Sequence, residues 1–269
     1  MLPEWRVDIR PRNLGRVDWL EALGLFVAAF AAGAINAVAG GGSLVSFPAL
    51  LAAGYPAKPA NVTNSVALWP GYLGGTLGYR REAATQRQRV VALLLPSVLG
   101  AIAGSIILLE TPESAFETIV PFLILFACVL LAVQGRVAEF AVRYRVTSMG
   151  PDHIPPVLVG SVFVLAVYGA YFGAGLGILT LAVLGILLPD DLQRSNALKG
   201  ILSMIINAAA VAWFAAFGPV RWLPAALMAV AALGGGYFGA GVARRLGATW
   251  LRRAVIAYGI IVVVAIWVR

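Results

Sequence analysis

The chain has 269 residues, of which 61% are hydrophobic and only 12% are charged. Its apolar runs approach the length that crosses ~30 Å of hydrocarbon, so a water-soluble protein is close to excluded. The net charge of +8 comes from 20 Lys and Arg residues against 12 Asp and Glu residues. Nearly all of them lie in short gaps between apolar runs, where basic residues orient spans and contact lipid head groups. We therefore expect the lipid bilayer as a partner and no nucleic acid.

Residues 1–18 form a charged N-terminal tail before the first apolar run. The small residues Ala37-Val38-Ala39 at the end of that run resemble a signal-peptide cleavage site. We do not expect cleavage, because the tail contains three acids, the run is long, and the cut would fall inside a motif described below.

The first half of the membrane region, residues 19–134, contains four apolar runs long enough to be full spans. A short run, Ser43 to Ala53, follows the first of them and covers only ~17 Å at the helical rise. It is a half-helix, a tilted short span or a re-entrant segment. The long runs are Trp19 to Val38, Val62 to Tyr79, Val90 to Leu109 and Phe116 to Gln134.

A connecting loop, residues 135–154, leads to a second half, residues 155–269, in which the runs have the same order. The short run is here Ile178 to Leu188. The sequence thus predicts an all-α polytopic integral membrane protein with about eight full transmembrane helices and two short half-helices. The long runs of this half are Pro155 to Phe172, Gly200 to Phe217, Trp222 to Val242 and Trp250 to Val268.

The two halves share a register of 135 residues. A glycine break precedes each short run, Gly40-Gly41-Gly42 in the first half and Gly175-Leu176-Gly177 in the second, and 175 − 40 = 135. Paired, glycine-interrupted apolar segments at corresponding positions of two halves point to a transporter's binding site. The sequence therefore predicts two homologous repeats. The same offset relates Leu44 to Leu179, Asn61 to Asn196, Gly100 to Gly235 and Gly104 to Gly239.

The charge of equivalent loops favours inverted repeats. The loop Arg80 to Arg89 contains four basic residues and its counterpart Gly218 to Arg221 one; the gap Glu110 to Ala115 contains none and its counterpart Arg244 to Arg253 four. The positive-inside rule places such loops on opposite faces. A count over the whole chain does not decide, because the basic N-terminal tail opposes inversion. Inversion requires that the short runs cross; if they turn back, the repeats are parallel.

Each glycine break is a candidate for a substrate site. A break followed by a new helix leaves free backbone N–H groups and a partial positive charge, which attract an anion. Close helix packing is the alternative, and for Gly100/Gly104 and Gly235/Gly239 we expect it, since these pairs have the small-xxx-small spacing of helix interfaces. The candidates at the breaks are Asn36, Gly40, Gly41, Gly42, Ser43, Gly173, Gly175 and Gly177.

A polar motif follows each short run. It reads Asn61-Val62-Thr63-Asn64-Ser65 in the first half and Ser195-Asn196-Ala197-Leu198-Lys199 in the second. Amide and hydroxyl groups, with the Lys199 ammonium inside an apolar segment, can bind the oxygens of an anion. Two alternatives stay open: helix capping by the asparagines, and snorkelling of Lys199 to the surface. The candidates are Asn61, Thr63, Asn64, Asn196 and Lys199, with Ser203 and Asn207 on the same helix face as Lys199.

Acidic residues avoid the interior of the predicted spans. Glu21 and Glu117 lie near span ends, and Asp190 and Asp191 lie in a gap. We therefore do not expect an obligatory carboxylate relay for protons. The single histidine, His153, lies in the central loop, and we expect no metal site, no cofactor and no enzymatic activity.

These motifs resemble those of the sulfite exporter TauE/SafE family, also called the 4-toluene sulfonate uptake permease family. The resemblance includes Ala39 to Leu44 with Pro48, Tyr79-Arg80-Arg81, Gly169 to Gly177 and Ser195 to Lys199. It implies a duplicated protein of the bacterial inner membrane, without an ATPase domain, that transports sulfite, sulfonates or related organic anions. The Pro-rich stretch Tyr55 to Pro59 departs from the usual pattern just before Asn61.

We therefore expect a secondary transporter or facilitator in the cell membrane, with a small anionic substrate as its partner. The alternative is a non-transporting membrane subunit or assembly factor whose glycines serve helix packing alone. The residues leave open which anion is moved, in which direction and with which coupling ion, and whether the chain forms a homo-oligomer.

Overall fold

The computed structural model describes residues 18–38, 41–77, 84–143, 154–246 and 248–268, and within these ranges it contains ten helices of 10 to 31 residues and no strand. The charged tail, the central loop with His153, and Gly40 lie outside the described residues. The helices are α1 Trp19–Val38, α2 Ser43–Ala52, α3 Ala57–Leu77, α4 Arg87–Glu110, α5 Glu113–Arg143, α6 Pro156–Tyr171, α7 Leu176–Leu187, α8 Leu192–Phe217, α9 Trp222–Leu246 and α10 Ala248–Val268.

Two of these helices, α3 and α8, begin five or more residues before their apolar runs. The second polar motif lies inside α8, because the Asp191 carboxylate accepts a hydrogen bond from the Arg194 backbone N–H (2.8 Å) and so caps the helix start. The first polar motif lies inside α3, which begins after Pro56. Polar first turns escape a search for apolar runs. At the other boundary, α5 continues past Gln134 to Arg143, so the start of the expected connecting loop is helical.

Four helices in the described ranges are long and apolar enough to cross a membrane, within Trp19–Asn36, Arg87–Glu110, Glu113–Phe140 and Gln193–Phe217. Shorter apolar stretches accompany them, including the whole of α2 and α7. The all-helical architecture agrees with the expected multi-pass membrane protein. The number of full crossings, eight, stays a prediction.

Glycines bring α4 against α6 and α1 against α9. A Cβ atom on Gly104 would lie 2.2 Å from the Val167 carbonyl oxygen, and one on Gly100 would lie 2.4 Å from another carbonyl oxygen of α6. In the second contact, a Cβ atom on Gly235 would lie 2.0 Å from the Phe30 carbonyl oxygen. Only glycine allows backbones to approach so closely, which confirms that these three residues pack helices.

The helices form two groups of four, and each group contains one helix from the other half of the chain. In one group α1, α2, α3 and α9 pack on one another, and in the other α4, α6, α7 and α8 do so. The groups meet along α3 and α8. Two further helices, α5 and α10, pack on each other and on the short helices, α5 on α7 and α10 on α2.

The central pair, α3 and α8, is antiparallel. A Cβ atom on Gly218, at the end of α8, would lie 3.2 Å from Val62 Cγ1 near the start of α3. At the opposite end, the Gln86 side chain, which follows α3 in the chain, donates a hydrogen bond to the Arg194 carbonyl oxygen in the first turn of α8 (2.7 Å). The start of each helix thus lies beside the end of the other.

Candidate functional site

At the first glycine break, the end of α1 holds the start of α2. The Gly42 backbone N–H donates a hydrogen bond to Asn36 Oδ1 (2.7 Å). Gly42 lies so close to α1 that a Cβ atom there would be 2.2 Å from the Ala32 carbonyl oxygen. One turn into α2, Ser46 Oγ donates to Asn64 Oδ1 of α3 (2.5 Å). Asn36 therefore positions α2, and α2 contacts Asn64.

The second glycine break contains two glycines in the left-handed region. Gly173 has φ +76°, and Gly175, the residue before α7, has φ +81°. The Tyr168 hydroxyl donates a hydrogen bond to the Ala174 carbonyl oxygen (2.5 Å), which fixes the turn from the side of α6. A side chain at Gly175 would strain this backbone. The partly exposed Gly177 follows in the first turn of α7.

Polar and aromatic contacts bring the two halves together at the breaks. The Asn61 side-chain amide of α3 donates a hydrogen bond to the Tyr171 carbonyl oxygen at the end of α6 (2.9 Å). The rings of Phe47 in α2 and Phe172 in the second break meet edge to face, with centroids 5.7 Å apart. The break of one half thus lies against the polar motif and the short helix of the other.

Neighbouring leucines of α5 also contact both breaks. A Cβ atom on Gly41 would lie 3.6 Å from the Leu131 side chain, and one on Gly175 would lie 3.1 Å from that of Leu130. The two breaks are therefore close in space. Of the predicted site residues, the structure brings together Asn36, Gly41, Gly42, Asn61, Asn64, Gly173 and Gly175.

Thr63 holds another helix. Its buried hydroxyl oxygen accepts a hydrogen bond from the backbone N–H of Arg221 (3.0 Å), the residue before α9. The side chain of Thr63 therefore fixes the start of α9.

The polar motif of α8 lies apart from that of α3. Lys199 Nζ donates a hydrogen bond to Asn196 Oδ1 (3.1 Å), and both residues are half-buried. Further along, Asn207 Nδ2 donates to the Ser203 carbonyl oxygen (2.8 Å). Within the described ranges, no side-chain hydrogen bond joins these four residues to the polar motif of α3.

The separation of the two motifs follows from the antiparallel pair. Trp69 Nε1 of α3 donates a hydrogen bond to the Met204 carbonyl oxygen of α8 (3.4 Å). Asn64 and Lys199 each lie five residues before this contact, or ~7.5 Å along their helices. Since the helices run in opposite directions, these two residues lie on opposite sides of the contact, ~15 Å apart along the helix pair.

Helix capping does not explain the two asparagines. Asn61 and Asn196 are each the fifth residue of their helices, beyond the first turn, and the cap of α8 is Asp191. The capping alternative is therefore wrong for both, and their amide groups are available for contacts between helices or with a ligand.

The structure contains a buried ion pair that the sequence does not predict. Arg89 at the start of α4 and Asp190 before α8 form a hydrogen-bonded pair, and their side chains are only 4% and 3% exposed. Arg194 Nε lies 3.6 Å from the other carboxylate oxygen. The paired residues are 101 positions apart, so only the tertiary structure joins them. The only local indication of the pair in the sequence is that each charged residue lies beside the end of an apolar run.

A cavity of 860 Å³ lies between α1, α2 and α10, away from both polar motifs. It is largely apolar, with Asp18 and Glu21 among its lining residues and Tyr258 contributed by α10. Carboxylates repel an anion, and none of the predicted site residues lines this cavity. This cavity therefore does not suit an anionic substrate.

The chemistry available in the two polar motifs is that of hydrogen-bond donors and one cation, Lys199. Amide, hydroxyl and ammonium groups suit the oxygen atoms of an anion. In the described ranges, no group of three His, Cys, Asp or Glu side chains is arranged to hold a metal ion. Fold and site together define a multi-pass helical membrane protein with polar groups on helices beside two chain breaks.

Comparison with known proteins agrees with this class. The family described as "Sulfite exporter TauE/SafE" matches residues 25–266, and the chain belongs to this family. The chain is 30% identical over 227 residues to a probable membrane transporter protein of Sinorhizobium sp, covering 82% of this chain and 81% of the relative. A probable membrane transporter protein of Haemophilus influenzae is 27% identical over 232 residues, covering 86% and 89%.

A third relative, the probable membrane transporter protein YfcA of Escherichia coli K12, is 24% identical over 222 residues, covering 82% of this chain and 79% of its own. The family match over residues 25–266 extends over both halves, including the glycine breaks and the polar motifs. The chain is a membrane transporter, and it is a multi-pass protein of the cell membrane.

Proposed function

We propose that this transporter is a secondary transporter or facilitator for a small sulfur-containing or organic oxyanion, such as sulfite or a sulfonate. One observation carries the proposal: Lys199 places an ammonium group inside α8, where its hydrogen-bond partner is the neutral Asn196 amide. Among the described residues, Lys199 forms no ion pair. A cation in hydrocarbon is costly until an anion joins it, and an oxyanion supplies both counter-charge and acceptor oxygens.

We further propose that residues 19–134 and 155–269 are inverted repeats. The Trp69–Met204 hydrogen bond joins residues 135 positions apart, the same offset that separates the breaks. When two repeats are related by a two-fold axis, equivalent residues can contact each other only beside that axis. The antiparallel course of α3 and α8 is the one that inversion requires. The contacts between helices follow the same register. The contact of α1 with α9 is equivalent to that of α6 with α4, and the contact of α2 with α10 is equivalent to that of α7 with α5.

The register then suggests where Lys199 lies relative to α7. Its equivalent is Asn64, since 199 − 64 = 135, and Asn64 contacts the first turn of α2 through Ser46. By this relation Lys199 lies beside the first turn of α7. A helix start has a partial positive charge of about half a unit. Lys199, Asn196 and the start of α7 together form a cationic half-site in the second repeat, and Asn64 with the start of α2 forms a neutral one.

The remaining predicted residues divide into two roles in this proposal. We assign the binding of substrate oxygens to side chains and backbone N–H groups at the two half-sites. We assign the positioning of helices to the other predicted residues. The first set is Gly40, Gly41, Ser43, Asn64, Gly175, Gly177, Asn196, Lys199 and Ser203; the second is Asn36, Gly42, Asn61, Thr63, Gly173 and Asn207.

The proposed mechanism uses no carboxylate as a proton relay. The described acidic residues lie at helix ends and in loops, and Asp190 is paired with Arg89. Without an obligatory proton, an anion gains ~2.3 kcal/mol per charge for each 100 mV when it leaves a cell that is negative inside. The membrane potential alone therefore favours export.

A thermal-shift panel on the purified chain tests the ligand class. Sulfite, a sulfonate, sulfate and chloride are added separately, and a ligand at about 100 times its Kd raises stability by about 2.7 kcal/mol. We expect stabilisation by sulfite or the sulfonate and its loss in Lys199→Met. Arg136→Gln is the matched control, because it removes one positive charge from an exposed position on α5.

Flux of the stabilising anion into proteoliposomes then tests transport. Lys199→Met is expected to lower flux at least tenfold, while Arg136→Gln keeps it. If no oxyanion stabilises the unaltered chain and none is transported, the substrate class is wrong. If Lys199→Met binds and transports normally, the substrate class survives and the assignment of Lys199 fails.

A further inference from the structure

The cavity between α1, α2 and α10 is a groove on the outside of the helix bundle. Its volume of 860 Å³ lies within the range of about 300–1,000 Å³ that ligand sites occupy. Three of its lining residues on α1, Leu20, Leu23 and Val27, are each more than half exposed. On a helix that spans the membrane, exposed apolar side chains face lipid. The groove therefore opens sideways to the bilayer.

The short length of α2 explains why a groove exists here. Both α1 and α10 pack on α2. The 10 residues of α2 extend over ~15 Å, whereas the 20 residues of α1 extend over ~30 Å. A helix of half the length cannot fill the space beside its neighbour. The residues that line the groove at the end of α2 are also small, namely Ala49, Ala52 and Ala53.

The length of the groove suits one acyl chain. Along α1 its lining extends from Asp18 to Ala31, and these 31 − 18 = 13 steps rise ~20 Å. One leaflet contributes about half of the ~30 Å of hydrocarbon. Trp19, which is 70% exposed beside Asp18, marks the membrane–water interface, where tryptophan is enriched. The groove therefore extends from this interface to the middle of the bilayer.

The charge of the groove is negative and lies at its interfacial end. Its charged lining residues are both acidic: Asp18 immediately precedes α1, and Glu21 lies in the first turn. Residues three apart on a helix are neighbours on its surface. In the described part of the chain, neither carboxylate forms an ion pair. The two carboxylates therefore attract a cationic group at the membrane surface and repel an anionic one.

We propose that this groove binds one phospholipid whose headgroup carries a primary ammonium and no net charge, as in phosphatidylethanolamine. The ammonium donates hydrogen bonds to Asp18 and Glu21, and one acyl chain fills the apolar part of the groove. The lipid thereby packs against α2, the helix that begins at the first glycine break. This site is separate from the Lys199 half-site, and the proposal does not depend on which anion is transported.

Native mass spectrometry of the whole chain measures the bound lipid. The protein is released from nanodiscs that contain equal amounts of phosphatidylethanolamine, phosphatidylcholine and phosphatidylglycerol. We expect the chain to retain phosphatidylethanolamine about fivefold more often than either other lipid, as for a partly exposed charge contact. The choline headgroup has no N–H donor, and the glycerol lipid is anionic. Equal retention of the three lipids, or a dimer of the chain without lipid, would overturn the proposal.

Gly24→Leu tests whether the lipid lies in the groove. Gly24 lines the groove, and no atom lies within 4 Å of its would-be Cβ position, so a leucine occupies the space of the acyl chain without a clash. We expect this variant to retain phosphatidylethanolamine about tenfold less often. Gly160→Leu is the matched control, since Gly160 is exposed on α6, also without an atom within 4 Å. If Gly24→Leu retains the lipid like the control, the groove is not its site.

Glu21→Lys tests the contact with the headgroup. We expect it to reverse the preference, so that phosphatidylglycerol is retained more often than phosphatidylethanolamine, whereas a merely loosened groove would lose all lipids alike. Glu117→Lys makes the same charge change at an exposed position on α5 and is expected to keep the original preference. An unchanged preference in Glu21→Lys would contradict the proposal.

Should Glu21→Lys fail to fold, Glu21→Gln decides, because it is expected to narrow the difference between phosphatidylethanolamine and phosphatidylglycerol, and an unchanged difference would overturn the proposal. These experiments contain no substrate. A wrong substrate class therefore leaves them unaffected, and their failure leaves the Lys199 site untouched.

Discussion

The close contact of α4 and α6 gives a quantitative prediction for Gly104→Ala. The new Cβ atom would lie 2.2 Å from the Val167 carbonyl oxygen, whereas ordinary contacts begin at 3.4 Å. The helices must therefore separate by 3.4 − 2.2 = 1.2 Å, or α4 must rotate. Overpacking of this kind costs about 1–3 kcal/mol, against a gain of about 0.5–1 kcal/mol from removing a helical glycine.

Thermal unfolding of the purified protein measures this cost, and Gly160→Ala is the matched control. Gly160 lies in α6 with no atom within 4 Å of its would-be Cβ position, so this substitution keeps only the helical gain. We expect Gly104→Ala to melt on the order of 5 °C below Gly160→Ala. Equal melting temperatures would refute the reasoning, since they would mean that the two backbones are not in contact at Gly104.

Two further substitutions test the ends of the helices beside the site. In Gly175→Ala the new side chain has a left-handed backbone and lies 3.1 Å from Leu130, whereas in Gly54→Ala it has a left-handed backbone alone. We expect Gly54→Ala to lower the free energy of unfolding by about 1–2 kcal/mol and Gly175→Ala to lower it by more, measured by chemical or thermal unfolding. Asp191→Ala removes the cap of α8 and should cost about 1 kcal/mol, while Asp191→Asn should cost almost nothing, and equal losses would contradict the capping contact.

Hydrophobicity predicts most of the helices because the bilayer imposes a length and a composition on a span. α1 has the bounds of its apolar run, and α2 and α9 begin at the residues predicted. The starts of α3 and α8 could not be located in this way, because their first turns are polar and held by a proline turn and an aspartate cap.

The structure brings the two glycine breaks together at α3 and α5. The register alone could not reveal that equivalent residues near an antiparallel contact lie on opposite sides of it, as Asn64 and Lys199 do. Nor could it reveal the Arg89–Asp190 pair, because local sequence carries no information on a contact across 101 positions. Asn36 also needed the structure, which shows its oxygen bound to the Gly42 backbone.

The most direct test of the account is the effect of Lys199→Met on the binding of sulfite or a sulfonate, measured as ligand-induced thermal stabilisation of the purified transporter. The account predicts that the unaltered chain and Arg136→Gln are stabilised by the anion in a dose-dependent way and that Lys199→Met is not. Equal stabilisation of all three proteins would contradict it, because the ammonium group of α8 would then have no part in holding the anion.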